Sequence, residues 1–186
     1  MSKVAVVFAP GFEEIEGLTI VDVLRRAEVD VTMVGFDQEV TGNHNITIKS
    51  DQLLDESLKD FDMIVLPGGT QGANNLKNNT TVIENLQAAY KDGKQIAAIC
   101  AAPIALEEAG LLKDKTYTSF PGVQENIQSG EYSEHLVVKD GRITTSRGPA
   151  TAMAFSYRLV DILGGNSDAI KDAMQYDKLV ASFLEN

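Results

Sequence analysis

Short, uninterrupted apolar runs alternate with helix-patterned segments along most of this chain, and that alternation limits the available folds more than any other feature. The strand-like runs are Lys3–Ala9, Val31–Phe36, Met63–Leu66 and Ile96–Ile99, with a shorter third one at Ile46–Ile48. Between them, Glu13–Ala27 carries Ile15, Leu18, Val21, Val23 and Leu24 at mostly helical spacing, and Thr80–Asp92 reads as a helix stopped by Gly93. A strand that is apolar at every position is buried on both faces. The pattern therefore predicts an α/β fold, a mostly parallel central sheet with helices on both sides.

The last third is less regular. Thr116–Phe120 reads as a strand, and Leu136–Lys139 with Arg142–Ser146 as a hairpin turning on Asp140-Gly141. A long helix follows Ser146-Arg147-Gly148-Pro149 and runs to about Leu163, where Gly164-Gly165 stops it. No linker, repeat or low-complexity stretch divides the 186 residues, so residues 1–186 are expected to form a single domain.

Lys and Arg total 16 and Asp and Glu 27, a net charge of −11. Such a field repels phosphate backbones and anionic lipid surfaces, so neither nucleic acid nor membrane is an expected partner. One cysteine permits no internal disulfide, which fits a reducing compartment. The first apolar stretch meets Pro10-Gly11 and the acids Glu13, Glu14 and Glu16 at once, too early for a signal peptide. The longest apolar run, Ile96 to Leu106, is about half the ~20 residues that span a bilayer. The chain reads as cytoplasmic.

In open parallel sheets, ligands bind beyond the carboxyl ends of the strands. Three features fall there: Pro10–Glu16, Pro67-Gly68-Gly69 and Cys100. Cys100 stands between the run Gln95–Ile99 and a helix opened by Pro103, where a helix N-terminus favours a thiolate. Between two apolar neighbours it also reads as a small core hydrophobe. Glu16 lies among Ile15, Leu18 and Ile20. It is either a partly buried carboxyl with a raised pKa or a plain complement to the helix dipole. Gly68-Gly69 either presents N–H groups to an oxyanion or is simply a turn. His44 and His135, the two histidines, sit in polar surroundings that suit the surface. No spacing suggests a metal site, phosphate loop or dinucleotide fingerprint, so neither metal nor cofactor is expected.

Four segments occur in a telling order: Ala9-Pro10-Gly11-Phe12-Glu13-Glu14-Ile15-Glu16, Val65-Leu66-Pro67-Gly68-Gly69, Ala97-Ala98-Ile99-Cys100-Ala101-Ala102-Pro103 and Thr145-Ser146-Arg147-Gly148-Pro149. Together they resemble the ThiJ/PfpI superfamily, in the ThiJ-like branch that includes the parkinsonism-associated protein deglycase. The resemblance implies a flavodoxin-like three-layer α/β/α sandwich and a homodimer. It implies Cys100 as the reactive elbow cysteine, Glu16 as its protonated partner, and the N–H groups of Gly69 and Ala101 as an oxyanion and substrate-binding hole. The implied activity is a slow, cofactor-free glyoxalase or deglycase of the hydro-lyase or hydrolase type. Its substrates would be methylglyoxal, glyoxal or their glycated adducts, in defence against carbonyl and oxidative stress. The alternative is a redox sensor or chaperone in which Cys100 is reversibly oxidised. Where many relatives carry a histidine near the cysteine, this chain has Phe120, which cannot move a proton. The position after the nucleophile, a histidine in PfpI-type peptidases, is Ala101 here, which argues against peptidase activity.

Overall fold

The computed structural model describes residues 2–183. Its strands are β1 (Lys3–Phe8), β2 (Asp30–Gly35), β3 (Glu39–Thr41), β4 (Thr47–Lys49), β5 (Gln52–Leu53), β6 (Met63–Leu66), β7 (Gln95–Ile99), β8 (Thr116–Tyr117), β9 (Glu131–Tyr132), β10 (Val137–Asp140) and β11 (Ile143–Ser146). The helices are α1 (Glu14–Arg26), α2 (Thr70–Lys77), α3 (Thr80–Lys91), α4 (Pro103–Glu108), α5 (Ala152–Ile162), α6 (Ser167–Ala173) and α7 (Tyr176–Ser182). Seven strands form the main sheet in the order β10-β11-β7-β6-β1-β2-β5. All its pairings are parallel except the β10–β11 hairpin at one edge.

The unbroken apolar runs bury residues on both faces, as their composition requires. Ala5, Val7, Ile64, Leu66, Ile96 and Ala98 face one core, with Val82, Leu86 and Ala89 of α3 and Ala105 and Leu106 of α4. Val4, Val6, Phe8, Met63, Val65 and Ile99 face the other, with Ile20, Val23 and Leu24 of α1 and Phe155, Leu159 and Val160 of α5. Neighbouring residues of one strand point to opposite sides, so a strand between two helical layers has no polar position available. This is the flavodoxin-like three-layer sandwich.

The segment Ile46–Ile48 falls on β4, which pairs with β3 in a separate hairpin rather than joining the main sheet. The strand expected over Thr116–Phe120 is shorter. Only Thr116 and Tyr117 pair, with β9, because Ser119 and Phe120 turn back toward the end of β7. Helices α2, α6 and α7 are only seven or eight residues long. Gly72, Asn74 and Asn75 dilute α2, and α7 buries no residue. Among the described residues, no helix is long and apolar enough to cross a membrane.

Candidate active site

Cys100 directly follows β7 and takes a left-handed backbone conformation, with φ of +64°. A non-glycine residue holds that conformation at a cost of about 1–3 kcal/mol, and only where its surroundings over-determine it. Here both peptide groups are fixed. The Cys100 N–H donates to the Ser146 carbonyl at the end of β11 (3.0 Å), and its carbonyl accepts the Phe120 N–H (2.9 Å). The sharp turn lifts the thiol out of the strand while leaving the residue 8% exposed.

Glu16 approaches from the first turn of α1 and is fully buried. Its Oε2 accepts the Gly68 N–H at 2.8 Å. Its Oε1 is buried and meets no nitrogen or oxygen donor, and the carboxyl's other interaction is with the Cys100 thiol. Burial therefore pushes Glu16 up to about 7, against the lowering effect of the Gly68 N–H. The paired glycines are required by space. A Cβ on Gly68 would lie 2.6 Å from the Cys100 Cβ and 2.8 Å from the Glu16 Oε2. Gly69, at φ +88°, would drive a Cβ to 2.4 Å from the Gly11 carbonyl oxygen.

The backbone N–H groups of Gly69 and Ala101 act on the Cys100 sulfur and lower its pKa. These two donors favour a thiolate, but they do not prevail. Burial, and then the Glu16 carboxylate, push the Cys100 thiol up to about 12. The sequence expectation of a thiol made acidic by its helix is corrected here. The following helix, α4, has only six residues, and the nearest charge is negative. The sulfur and the Glu16 carboxyl are thus placed to exchange a proton, with two backbone donors beside the sulfur.

The three acids that open α1 divide their work. Glu13 is the N-cap, its Oε2 accepting the Glu16 N–H at 2.8 Å. Glu14 turns away to the β3–β4 hairpin, where its carboxylate accepts the His44 backbone N–H (2.6 Å) and interacts with His44 Nδ1 (3.0 Å). Burial raises Glu14, but these hydrogen bonds outweigh it and hold its pKa below the ordinary value. Only Glu16 faces the sulfur. His44 is on the surface as expected, yet it closes a latch that position alone does not reveal. Ligand-type atoms of Glu13, Glu14 and His44 lie within 4.8 Å of one another. The Glu14 oxygens are already occupied by donors from the hairpin, so the group reads as a structural clamp.

Phe120 is 46% exposed, with its ring against Gly148. It supplies no proton-transfer group beside the elbow. Pro10–Glu16, Gly68-Gly69 and Cys100 thus converge as the strand ends predict. Sequence reasoning missed the use of the Gly68 N–H and the Ser146 carbonyl. Both are backbone groups, whose partners depend on strand order rather than on residue type.

The DJ-1/PfpI family model matches residues 2–162. "Protein DJ-1 homolog A" of Arabidopsis thaliana is 38% identical over 173 residues, covering 91% of this chain; the chain spans 44% of that relative's length. A protein named "Deglycase PH1704", from Pyrococcus horikoshii, is 31% identical over 87% of this chain and 99% of its own length. The crystal structure of Drosophila melanogaster DJ-1beta superposes with a TM-score of 0.90 at 36% identity, covering 94% of this chain and 98% of that one. With the fold, the ordered motifs and these likenesses in agreement, the chain belongs to the DJ-1/PfpI family.

Proposed function

We propose that this protein is a cysteine-dependent, cofactor-independent glyoxalase- or deglycase-like enzyme. It would act on methylglyoxal, glyoxal or their adducts as part of a stress response. The observation that carries this reading is the meeting of one thiol, one buried carboxyl and two backbone donors at the end of β7. The relative named a deglycase supports it.

In the first step the Glu16 carboxylate takes the thiol proton as sulfur adds to the aldehyde carbon. The carbonyl becomes an alkoxide held by the Gly69 and Ala101 N–H groups. Glu16 returns that proton to the oxygen, giving a hemithioacetal. It then removes the proton from the former aldehyde carbon and delivers it to the neighbouring carbon, while the hydroxyl proton passes from the first oxygen to the ketone oxygen through the enediol. The product is a thioester of the hydroxy acid. Water cleaves the thioester, releasing lactate from methylglyoxal and restoring the thiol. A carboxyl titrating at about 7 is suited to serve as both base and acid at neutral pH. With Phe120 in place of a second proton carrier, turnover is slow.

The test is lactate formation from methylglyoxal by the wild type, Cys100→Ser and Glu16→Gln. Loss of product in both variants is expected. Wild-type rates in either variant would remove the mechanism.

The second reading is a redox sensor, favoured by the same carboxyl, which in its neutral form can donate to an oxidised sulfur. Intact mass after mild peroxide separates the two. Discrete oxygen addition lost in Cys100→Ser supports sensing; absence of any addition rules it out.

A further inference from the structure

Between the edge strand β10 and the C-terminal helices, a cavity of about 500 Å³ opens between four elements. Val137 and Lys139 of the edge strand β10 form one wall. Ala154, Tyr157, Arg158 and Asp161 present one face of α5, and Lys171 of α6 and Tyr176 of α7 close the far side. None of these residues takes part in the proposed chemistry.

The charge of this wall is unlike that of the chain. Acids outnumber bases 27 to 16 overall. Here three cations line the cavity with one acid, Asp161. Among the described residues Arg158 makes no hydrogen bond or ion pair, so its planar fork of donors is available to a ligand. The Lys171 ammonium pairs with Asp168 at 2.9 Å, but that carboxylate is 88% exposed and is a weak surface competitor. Asp161 and Asp177 also act on Lys171 from further away. Lys139 donates to the Gly141 carbonyl and lies near Asp140, whose carboxylate is already held by Lys115 and the Thr116 N–H. The remaining wall is apolar and aromatic. Tyr157 is buried, with its hydroxyl on the Met174 sulfur, and meets the Tyr176 ring edge-on at 5.0 Å between centroids.

We propose that this cavity is a second binding site, for a small organic anion. A phosphate or carboxylate head group is held by Arg158 with Lys139 and Lys171. A flat apolar body lies against Tyr176, Val137 and Ala154. Guanidinium groups match such head groups through paired hydrogen bonds, and an aromatic wall supplies contact at little entropic cost. In so acidic a protein this is where an anion meets three cations together.

The test is amide chemical-shift mapping on the full chain, titrated separately with phenyl phosphate, benzoate and neutral benzyl alcohol. Saturable shifts confined to residues 137–139, 154–161 and 171–176 are expected with at least one anion, and not with the alcohol. Shifts from both anions show that a carboxylate suffices; shifts from phenyl phosphate alone show that a phosphate is needed. Arg158→Ala should weaken binding about tenfold or more, Lys139→Ala less, with methylglyoxal turnover unchanged in both. Scattered shifts, equal response to the alcohol, or undiminished binding by Arg158→Ala would overturn the site.

Discussion

At the scale of single residues, the site depends on what Glu16 and Gly68 do to each other and to the sulfur. Glu16 titrates near an ordinary 4.5 in the unfolded chain and at about 7 when folded. Between those values the folded protein binds more protons than the unfolded chain, so stability falls as pH rises through that window. That rise in pKa corresponds to about 3 kcal/mol. Urea unfolding of the wild type and Glu16→Gln at pH 5 and pH 7.5 should show that difference, with the wild type losing more on the alkaline side. The same carboxylate holds the thiol up, so Glu16→Gln should be alkylated by iodoacetamide faster than the wild type at pH 8. Equal rates would mean the two groups do not interact. A methyl group on Gly68 has no place to go. Gly68→Ala should cost about 1–3 kcal/mol of stability, as over-packing does. It should also abolish turnover, because the carboxyl must move.

At the scale of elements, the sheet was the most legible part of the sequence. Val4–Phe8 and Met63–Leu66 are apolar at every position, and only strands under two helical layers carry that pattern. Helix α3 was equally plain, with Asn79 capping it, Leu86 and Ala89 on its inner face and Gly93 ending it at φ +82°. Helix α2 was not, because it has only eight residues, with Ala73 and Leu76 as its apolar anchors, and its surroundings help to hold it. The Gly72 N–H donates to the Gly11 carbonyl (3.1 Å) and Asn75 Nδ2 to the Pro10 carbonyl (2.8 Å). Such partners are distant in sequence and leave no periodic trace. Cys100 and Glu16 stood out through motif order, whereas the roles of Glu13 and Glu14 were separable only in three dimensions. The Glu14–His44 latch joins α1 to the β3–β4 hairpin. Glu14→Ala would leave the part-buried His44 amide contact unmade, at a cost of about 1 kcal/mol. Hydrogen exchange should then quicken at the His44 and Ile46 amides while β1 and β6 stay protected.

At the scale of the whole molecule, the homodimer implied by the resemblance needs an apolar surface. Ile15, which follows Glu14 on α1, is 58% exposed, and Ile46, whose N–H reaches the Glu14 carboxylate, is 50% exposed. Large exposed apolar side chains grouped on adjoining elements mark contact surfaces. Sedimentation velocity should show the wild type as a dimer and Ile15→Glu shifted toward monomer. A dimer unaffected by Ile15→Glu and Ile46→Glu would place the contact elsewhere.

The consecutive amide groups of Gly68 and Gly69 have separate duties. The Gly68 hydrogen lowers the Glu16 pKa against the larger effect of burial, and the Gly69 hydrogen serves the sulfur and the oxygen that would develop charge. Because both hydrogens ride on adjoining rigid planes at the entrance to α2, neither can be retuned alone. Under the proposed chemistry, a displacement of α2 would shift the pH optimum and the barrier height together. Selection on rate and on working pH would then act through the same few atoms.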